Sequence, residues 1–170
     1  MTFLVLSDSH GYSENVRRAI EAAGRVDAIF FLGDGLRDVA YIAEEAPIYA
    51  VRGNCDFFKS IYFEAPDERM VRIGEYNVMM MHGHTRSVKD TPERAIAAAV
   101  GRGADILLFG HTHKRYERRI GAGETVLGAT LEKPLWVMNP GSVGCPENDG
   151  YSFGIVTARG KDILLSFGKL

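Results

Sequence analysis

The chain has 170 residues, of which 46% are hydrophobic, so it is long enough for one compact domain with a full core and needs no second one. Its formal net charge of -2 provides no long-range attraction to nucleic acid or to an anionic membrane, so neither is expected as a partner. The two cysteines, Cys55 and Cys145, lie far apart without CxxC spacing, which favours a reduced, cytoplasmic location over secretion.

The first third of the chain alternates short apolar runs with helical stretches. Residues 3–6 predict a strand, and residues 13–23 predict a helix that Ser13 caps and Gly24 ends. The following predictions are a strand over 28–32, a helix over 36–45 and a strand over 48–51. Strands that are apolar on both faces and alternate with helices indicate a parallel sheet, and ligands bind beyond the carboxyl ends of such strands.

The middle of the chain changes rhythm. Residues 70–73 and 78–81 predict a hairpin around Gly74-Glu75-Tyr76-Asn77, and Thr91 and Pro92 begin a predicted helix. The later predicted strands cover 106–109, 115–120, 125–127, 135–138, 151–158 and 162–167. We expect a second sheet in the last third, and one α/β sandwich domain over residues 1–170.

Side chains that can bind metals concentrate in five short segments, each directly after a predicted strand. The segments are Asp8-Ser9-His10, Gly33-Asp34, Gly53-Asn54-Cys55-Asp56, His82-Gly83-His84 and Gly110-His111-Thr112-His113. A single histidine is more often a structural residue, but all five histidines of the chain fall in these segments, which favours a binding site. Oxygen and imidazole ligands without thiolate suit Mn, Fe, Zn or Ni.

This ordered series resembles the calcineurin-like metallophosphoesterase superfamily, and the short chain with Gly53-Asn54-Cys55-Asp56 resembles its small bacterial and archaeal phosphodiesterase branch. Any one of the segments alone would be weak evidence, whereas five in order are specific. The resemblance implies an α/β fold, a sandwich of two mixed β-sheets flanked by helices. It also implies a metal-dependent phosphodiesterase that acts on a small phosphoester.

The resemblance further implies two divalent ions, with Mn as the preferred metal and Ni, Zn or Fe as alternatives. The first ion would be bound by Asp8, His10 and His113, the second by Asn54, His82 and His111, and both by Asp34. A bridging carboxylate lets two cations lie roughly 3.5 to 4 Å apart, where together they acidify one bridging water. The implied nucleophile is that metal-bridging hydroxide, so Asp34 and Asn54 also count as candidate catalytic residues.

Two positions bear on the choice of substrate. Many relatives have a histidine after the metal-binding asparagine, as a candidate acid for the leaving group, where this chain has Cys55. A thiol replaces an imidazolium poorly, so we expect slow turnover of poor leaving groups and faster turnover of aryl phosphodiesters. His84 is the remaining histidine near the site and a candidate catalytic residue that contacts substrate, with a structural role equally open.

Two alternative functions are considered. The first is a catalytically weak protein-interaction scaffold, similar to the retromer subunit of the same fold, and the intact ligand set argues against it. The second keeps hydrolysis but makes the chain a phosphomonoesterase or a cyclic-nucleotide enzyme. A symmetric homodimer is the base-rate expectation for the oligomeric state.

Overall fold

The computed structural model of the chain describes residues 1–40, 46–57, 65–147 and 150–170. Within these ranges the chain forms three α-helices and twelve strands. In chain order they are β1 (Thr2–Leu6), α1 (Ser13–Ala23), β2 (Ala28–Phe31), α2 (Leu36–Val39), β3 (Ile48–Ala50), β4 (Glu68–Ile73), β5 (Tyr76–Met81), α3 (Glu93–Gly101), β6 (Ile106–Phe109), β7 (Arg115–Ile120), β8 (Thr125–Val126), β9 (Ala129–Thr130), β10 (Leu135–Pro140), β11 (Ser152–Arg159) and β12 (Asp162–Lys169).

Two five-stranded sheets make up the centre of the fold. The first has the strand order β12-β11-β1-β2-β3, in which β1, β2 and β3 are parallel and the last two strands of the chain are antiparallel. The second has the order β4-β5-β6-β10-β7, with three parallel strands between two antiparallel edge strands. Both sheets are mixed, which confirms the predicted fold class.

The alternation of side chains along each strand explains how the sheets are layered. In β1, Phe3 and Val5 enter the core between the two sheets, whereas Leu4 and Leu6 pack against α1 and α2 on the outer side. In the second sheet, alternate residues of β5 and β6 pack against α3 in the same way. The layers are therefore helices, sheet, sheet and helix, and burial of both faces is why these strands are continuous apolar runs.

The buried strands contribute most of the hydrophobic stabilisation. Met79, Met80 and Met81 are all fully buried and pack into the core on both faces of β5. Phe30 is also fully buried, and its truncation to alanine would cost about 3 to 5 kcal/mol of stability. None of the described helices is long and apolar enough to cross a membrane.

Several predicted boundaries are corrected. Ser13 is the first helical residue of α1 rather than its cap, because Tyr12 occupies the N-cap position without a side-chain hydrogen bond. The α2 helix ends at Val39, and residues 41–45 of the predicted helix lie outside the described residues. The hairpin between β4 and β5 turns at Gly74 and Glu75 alone, since Tyr76 already belongs to a strand and is buried.

A second sheet is present, but it does not consist of the strands of the last third alone, as the sequence predicted. β7 and β10 do join the second sheet, but β11 and β12 return to the first sheet, where β11 pairs with β1. The physical reason is that β1 is buried on both faces. The backbone N–H and C=O groups on the edge of β1 that does not pair with β2 therefore need another strand as their hydrogen-bond partner. β1 thereby becomes a central strand.

Candidate metal centre

The five predicted segments converge at one edge of the sandwich. The strand registers place the last residues of β1, β2 and β3 side by side, and likewise those of β5 and β6. Asp8 and His10 follow β1, Asp34 follows β2, Asn54 follows β3 and His82 follows β5. The loop after β6 adds two more histidines to the same edge.

Asp8, His10 and His113 form the first group, in which the possible ligand atoms all lie within 4.8 Å of one another. Nε2 of His113 lies 3.1 Å from Oδ1 of Asp8 and 3.4 Å from Nε2 of His10. Asp8 is fully buried, whereas the two histidine side chains are 23% and 20% exposed. This group therefore faces solvent on its histidine side.

Asp34, His82 and His111 form the second group. Nε2 of His82 lies 3.4 Å from Oδ2 of Asp34, 3.0 Å from Nδ1 of His111 and 3.2 Å from Oδ1 of Asn54. Oδ2 of Asp34 also lies 3.8 Å from Nε2 of His10, so this carboxylate contacts both groups. The fold thus brings together all seven residues that the sequence predicts as metal ligands.

The backbone of these loops adopts a conformation that is rare for residues with a side chain. Among the described residues, seven non-glycine residues have a positive φ, and five of them are candidate ligands. They are Asp8 (56°), His10 (45°), Asp34 (57°), His111 (68°) and His113 (57°). Each costs about 1 to 2 kcal/mol relative to ordinary backbone, so backbone strain is concentrated at this one edge of the sandwich.

Backbone carbonyls fix the rings of two histidines. Nδ1 of His82 donates to the carbonyl of Leu32 at 2.8 Å, and Nδ1 of His113 donates to that of Cys145 at 2.5 Å. Since a carbonyl only accepts, Nδ1 of each ring carries a proton, so Nε2 is the atom that would bind a cation, with its lone pair free once the ring is neutral. Metal-binding histidines are usually supported in this way.

One buried ligand atom of the cluster lacks a hydrogen bond in the described part of the chain, which fits the binding of a divalent cation. Oδ2 of Asp8 accepts hydrogen bonds from the Ser7 hydroxyl and from the His111 N–H, but its buried Oδ1 makes none with the described residues. A buried carboxylate oxygen without a donor is costly unless a cation binds it. The mix of imidazole nitrogens, carboxylate oxygens and an amide oxygen suits Mn, Fe, Ni or Zn.

Electrostatic coupling sets the charge of the cluster. Burial raises the pKa of Asp34, but the hydrogen bond and positive charge of His82 outweigh burial, so that pKa lies well below its usual value. Burial and the charge of His82 lower the pKa of His111 to about 4. At neutral pH Asp34 is therefore a carboxylate and His111 is neutral, which are the forms that bind cations.

Asp56 has a role that the sequence did not reveal. Its carboxylate accepts four backbone N–H groups, from Asp34 at 2.7 Å, Gly35 at 2.9 Å, Leu36 at 3.0 Å and Gly53 at 2.9 Å. These bonds join the loop after β2 to the loop after β3. Asp56 therefore positions Asp34 and lies behind the cluster.

Two glycines make the same junction sterically possible. A Cβ atom on Gly33 would overlap the backbone of Gly53, and a Cβ on Gly53 would overlap the Asp34 side chain. Gly33 also has φ +96°, which favours glycine. Glycine is therefore needed at both positions so that the loop after β2 can approach the loop after β3.

Two more polar side chains support the first group. Asp38 accepts hydrogen bonds from the Ser9 hydroxyl at 2.5 Å and from the Gly11 N–H at 2.9 Å. The buried Ser142 hydroxyl donates to the backbone carbonyl of Asp8 at 2.8 Å. These three hydrogen bonds brace the strained loop after β1, and none of them could be inferred from local sequence spacing.

Cys55 and His84 lie beside the two groups. Sγ of the exposed Cys55 lies within 4.8 Å of ligand atoms of His10 and Asp34, and partial burial and the Asp34 charge raise its pKa to about 11. The His84 ring centroid lies 5.4 Å from that of His82. Phe57 is 84% exposed, and its neighbour Phe58 lies outside the described residues.

Fold and cluster together define a class of protein, the metallophosphoesterases. The chain belongs to the calcineurin-like phosphoesterase superfamily, whose domain model matches residues 1–161. This match confirms the predicted resemblance. It also supports divalent metal binding by the histidine and aspartate cluster.

Individual relatives agree with this assignment. A probable metallophosphoesterase of Bacillus subtilis is 33% identical over 147 residues, which cover 86% of this chain and 77% of the relative. A phosphodiesterase of Methanocaldococcus jannaschii is 29% identical over 170 residues, covering 90% of this chain and 87% of the relative.

Solved structures extend the comparison. A conserved uncharacterized protein of Streptococcus pneumoniae, named as a predicted phosphoesterase, has a TM-score of 0.77 and 26% identity, covering 98% of this chain and 87% of that one. Vps29 of Chaetomium thermophilum has a TM-score of 0.73 over 98% of this chain and 86% of its own. Its 18% identity limits that likeness to the fold.

Proposed function

We propose that the chain is a dinuclear metal-dependent phosphodiesterase that hydrolyses a small phosphoester. The observation that carries the proposal is the position of Asp34, whose Oδ2 lies 3.8 Å from Nε2 of His10 and 3.4 Å from Nε2 of His82. A carboxylate shared by two ligand groups is the arrangement that holds two cations close together. The first ion is assigned to Asp8, His10, Asp34 and His113, and the second to Asp34, Asn54, His82 and His111.

The residues of the chain itself hold the ligand atoms in position. Two divalent ions, with Mn preferred and Ni, Zn or Fe as alternatives, would supply Lewis acidity and an activated water when bound. Backbone carbonyls hold the Nδ1 protons of His82 and His113, so Nε2 of each ring is directed to the cluster, where it could bind a cation. Asn54 directs its amide oxygen to the cluster while its Nδ2 contacts Cys55 Sγ at 3.3 Å. The ligand set is therefore organised before substrate arrives.

Metal reconstitution tests the proposal. Protein stripped of metal should not hydrolyse bis(p-nitrophenyl) phosphate, and added Mn should restore hydrolysis with two ions bound per chain. p-Nitrophenyl phosphate is the matched monoester, and preference for it would favour the phosphomonoesterase alternative. Absence of metal binding would overturn the proposal.

Cys55 governs the expected preference for leaving groups. Its exposed thiol lies beside His10 and Asp34, where a substrate oxygen leaving the phosphorus would need a proton. We expect aryl phosphodiesters, whose leaving groups need little protonation, to be cleaved faster than alkyl phosphodiesters. Equal rates for the two kinds of ester would contradict this role.

His84 is assigned to substrate contact rather than to metal binding. Its ring lies 5.4 Å from that of His82 and 6.1 Å from that of His111, but it does not belong to the two ligand groups. His84→Ala should therefore keep both ions and lose activity. Loss of an ion in this variant would overturn the assignment.

The likeness to Vps29 favours one rival, a scaffold of the same fold that binds another protein. A scaffold would bind its partner without metal, and substitution of the ligand residues would not affect binding. We also propose that residues 1–170 act as one domain, because the first and last strands of the chain lie in the same sheet. Turnover by the reconstituted protein would argue against the scaffold.

A further inference from the structure

A cavity of about 430 Å³ opens beside the metal-centre loop that follows β6. Its wall includes Thr112, which lies between His111 and His113 in the sequence. The cavity is therefore adjacent to both ligand groups. Its volume is within the range of pockets that hold a small organic group, about 300 to 1,000 Å³.

The cavity combines apolar walls with a positive side chain. Val88, Pro92 and Tyr116 supply apolar surface, and Lys89 is exposed at the rim. Within the described ranges, Lys89 takes part in no ion pair or hydrogen bond. An ammonium group that forms no ion pair or hydrogen bond with the described residues, beside a partly apolar cavity, is suited to bind an anion at the end of an apolar group.

Lys89 lines the same cavity as Thr112, the residue between His111 and His113. These two histidines belong to different ligand groups. An anion bound by Lys89 would therefore lie beside the loop that carries one histidine of each group, close enough to belong to the same substrate molecule as a phosphodiester at the metal centre.

A second lysine on the cavity wall can join Lys89. Nζ of Lys114 lies 3.0 Å from Oε2 of Glu147, and the two side chains are 54% and 51% exposed. Such an exposed ion pair contributes little to stability and opens readily. Lys114 can therefore exchange this partner for a ligand phosphate.

We propose that this cavity binds the arm of a phosphodiester substrate that ends in a second phosphate, with Lys89 and Lys114 contacting that phosphate. The proposal rests on the phosphodiesterase function and narrows its substrate class. It makes Lys89 a specificity-determining residue, because the second phosphate is not the one that reacts. The scissile phosphate lies at the metal centre, and the apolar walls hold the group between the two phosphates.

A matched pair of substrates tests this subsite. Thymidine 5′-(p-nitrophenyl phosphate) and its 3′-phosphorylated derivative release the same leaving group and differ only in the second phosphate. The measured quantity is the ratio of kcat/KM for the phosphorylated substrate to kcat/KM for the other. In Lys89→Met we expect this ratio to fall by roughly 5- to 10-fold, through KM, which corresponds to one partly exposed charge contact. Glu147→Gln should raise the ratio, because it removes a negative charge and frees Lys114.

The control is Lys161→Met, which removes the same charge far from the cavity. Lys161 lies in the turn between β11 and β12, near Met1 and Thr2, at the end of β1 opposite Asp8. This variant should keep the wild-type ratio and the wild-type activity. An unchanged ratio in Lys89→Met, or an equal fall in the control, would overturn the subsite.

Failure of the phosphodiesterase function would be recognised separately. If the wild-type enzyme hydrolyses neither substrate with any metal, the subsite is tested by calorimetric binding of thymidine 3′,5′-bisphosphate and thymidine 5′-phosphate. Tighter binding of the bisphosphate that is lost in Lys89→Met would support the subsite without catalysis. Equal affinity for the two nucleotides in the wild-type protein would overturn it.

Discussion

The two ligand groups of the metal centre are held in place by different means. Every member of the first group, Asp8, His10 and His113, has a positive φ, and both histidines are partly exposed. In the second group His82 directly follows β5, is fully buried and has a hydrogen bond to Leu32. The first group thus depends on strained loops alone, whereas the second combines positive φ at Asp34 and His111 with a fully buried histidine, His82, at the end of a strand.

This difference shows that metal-binding side chains can be positioned either by strained loop backbone or by burial at the end of a strand. The first costs backbone strain, and the second costs burial of a polar side chain. The two histidines of the first group remain partly exposed, so we expect an ion bound there to exchange more readily. A buried ligand is fixed more firmly, but its removal disturbs the packing of the core. Asp34 combines both properties, since it is buried and has a positive φ of 57°.

The largest effect is therefore expected for Asp34→Asn, because it weakens both groups at once. Metal content and diester hydrolysis should fall together, the latter by more than about 100-fold, since even partners behind ligands are worth 10- to 100-fold. Bound metal and turnover are measured on the same preparation. Asp27→Asn is the control, because Asp27 accepts a hydrogen bond from the Thr2 N–H at the other end of the sheet. Wild-type turnover by Asp34→Asn would refute the shared-carboxylate scheme.

Asp56→Asn should have the next largest effect. Each Asp56 oxygen accepts two of the four backbone N–H groups, and an amide NH₂ in place of one oxygen cannot accept. We expect metal affinity to fall by about 10- to 100-fold and stability by about 2 kcal/mol. Metal titration and denaturant unfolding measure these two quantities. Lower stability with unchanged metal affinity would show that Asp56 supports the fold but does not position Asp34.

Substitution of one histidine from each group tests the comparison directly. His10→Ala and His82→Ala should each leave one ion per chain instead of two. In metal-free protein, His82→Ala should cost about 2 kcal/mol more stability, because it leaves a cavity and an unpaired Leu32 carbonyl. Denaturant unfolding in chelator gives the difference. Equal losses of stability would mean that burial does not distinguish the two groups.

Local sequence patterns predicted the central strands and the segments that carry the candidate ligands. The central strands were recognisable because burial on both faces leaves continuous apolar runs such as residues 28–31. The five segments were recognisable because imidazole and carboxylate side chains recur directly after predicted strands. The seven individual ligands, Asn54 among them, and their division into two groups came from the family resemblance and stay a prediction.

Features that depend on contacts between distant segments were not predictable. Asp56 and Gly33 act across the junction of two loops, and no spacing within either loop specifies that contact. The return of β11 to the first sheet depends on the open edge of β1, some 150 residues earlier in the chain. Helix ends were also missed, because Ser13 is a favourable cap by type but lies one residue inside the helix.

The smallest predicted effect concerns the turn that follows His82. Arg86 in this turn forms two hydrogen bonds with Glu68 of β4, from Nε at 2.6 Å and from Nη2 at 3.0 Å. The Arg86 hydrogen bonds, together with Arg102, hold the pKa of Glu68 below its usual value despite burial. Glu68→Gln removes this charge pair, and we expect it to cost about 1 kcal/mol at neutral pH.

The pH dependence of this loss follows from the direction of the pKa shift. Because the pKa of Glu68 is lower in the folded protein, the carboxylate stabilises the fold above its unfolded pKa near 4.5, and this contribution disappears as the pH falls through the folded value. The stability difference between wild type and Glu68→Gln should therefore be constant near neutral pH and shrink in acid. Unfolding of metal-free protein across this range measures it, with Glu14→Gln, in an exposed pair with Arg17, as a control that should change less. A difference that persists in acid would show that Glu68 acts through packing rather than through its charge.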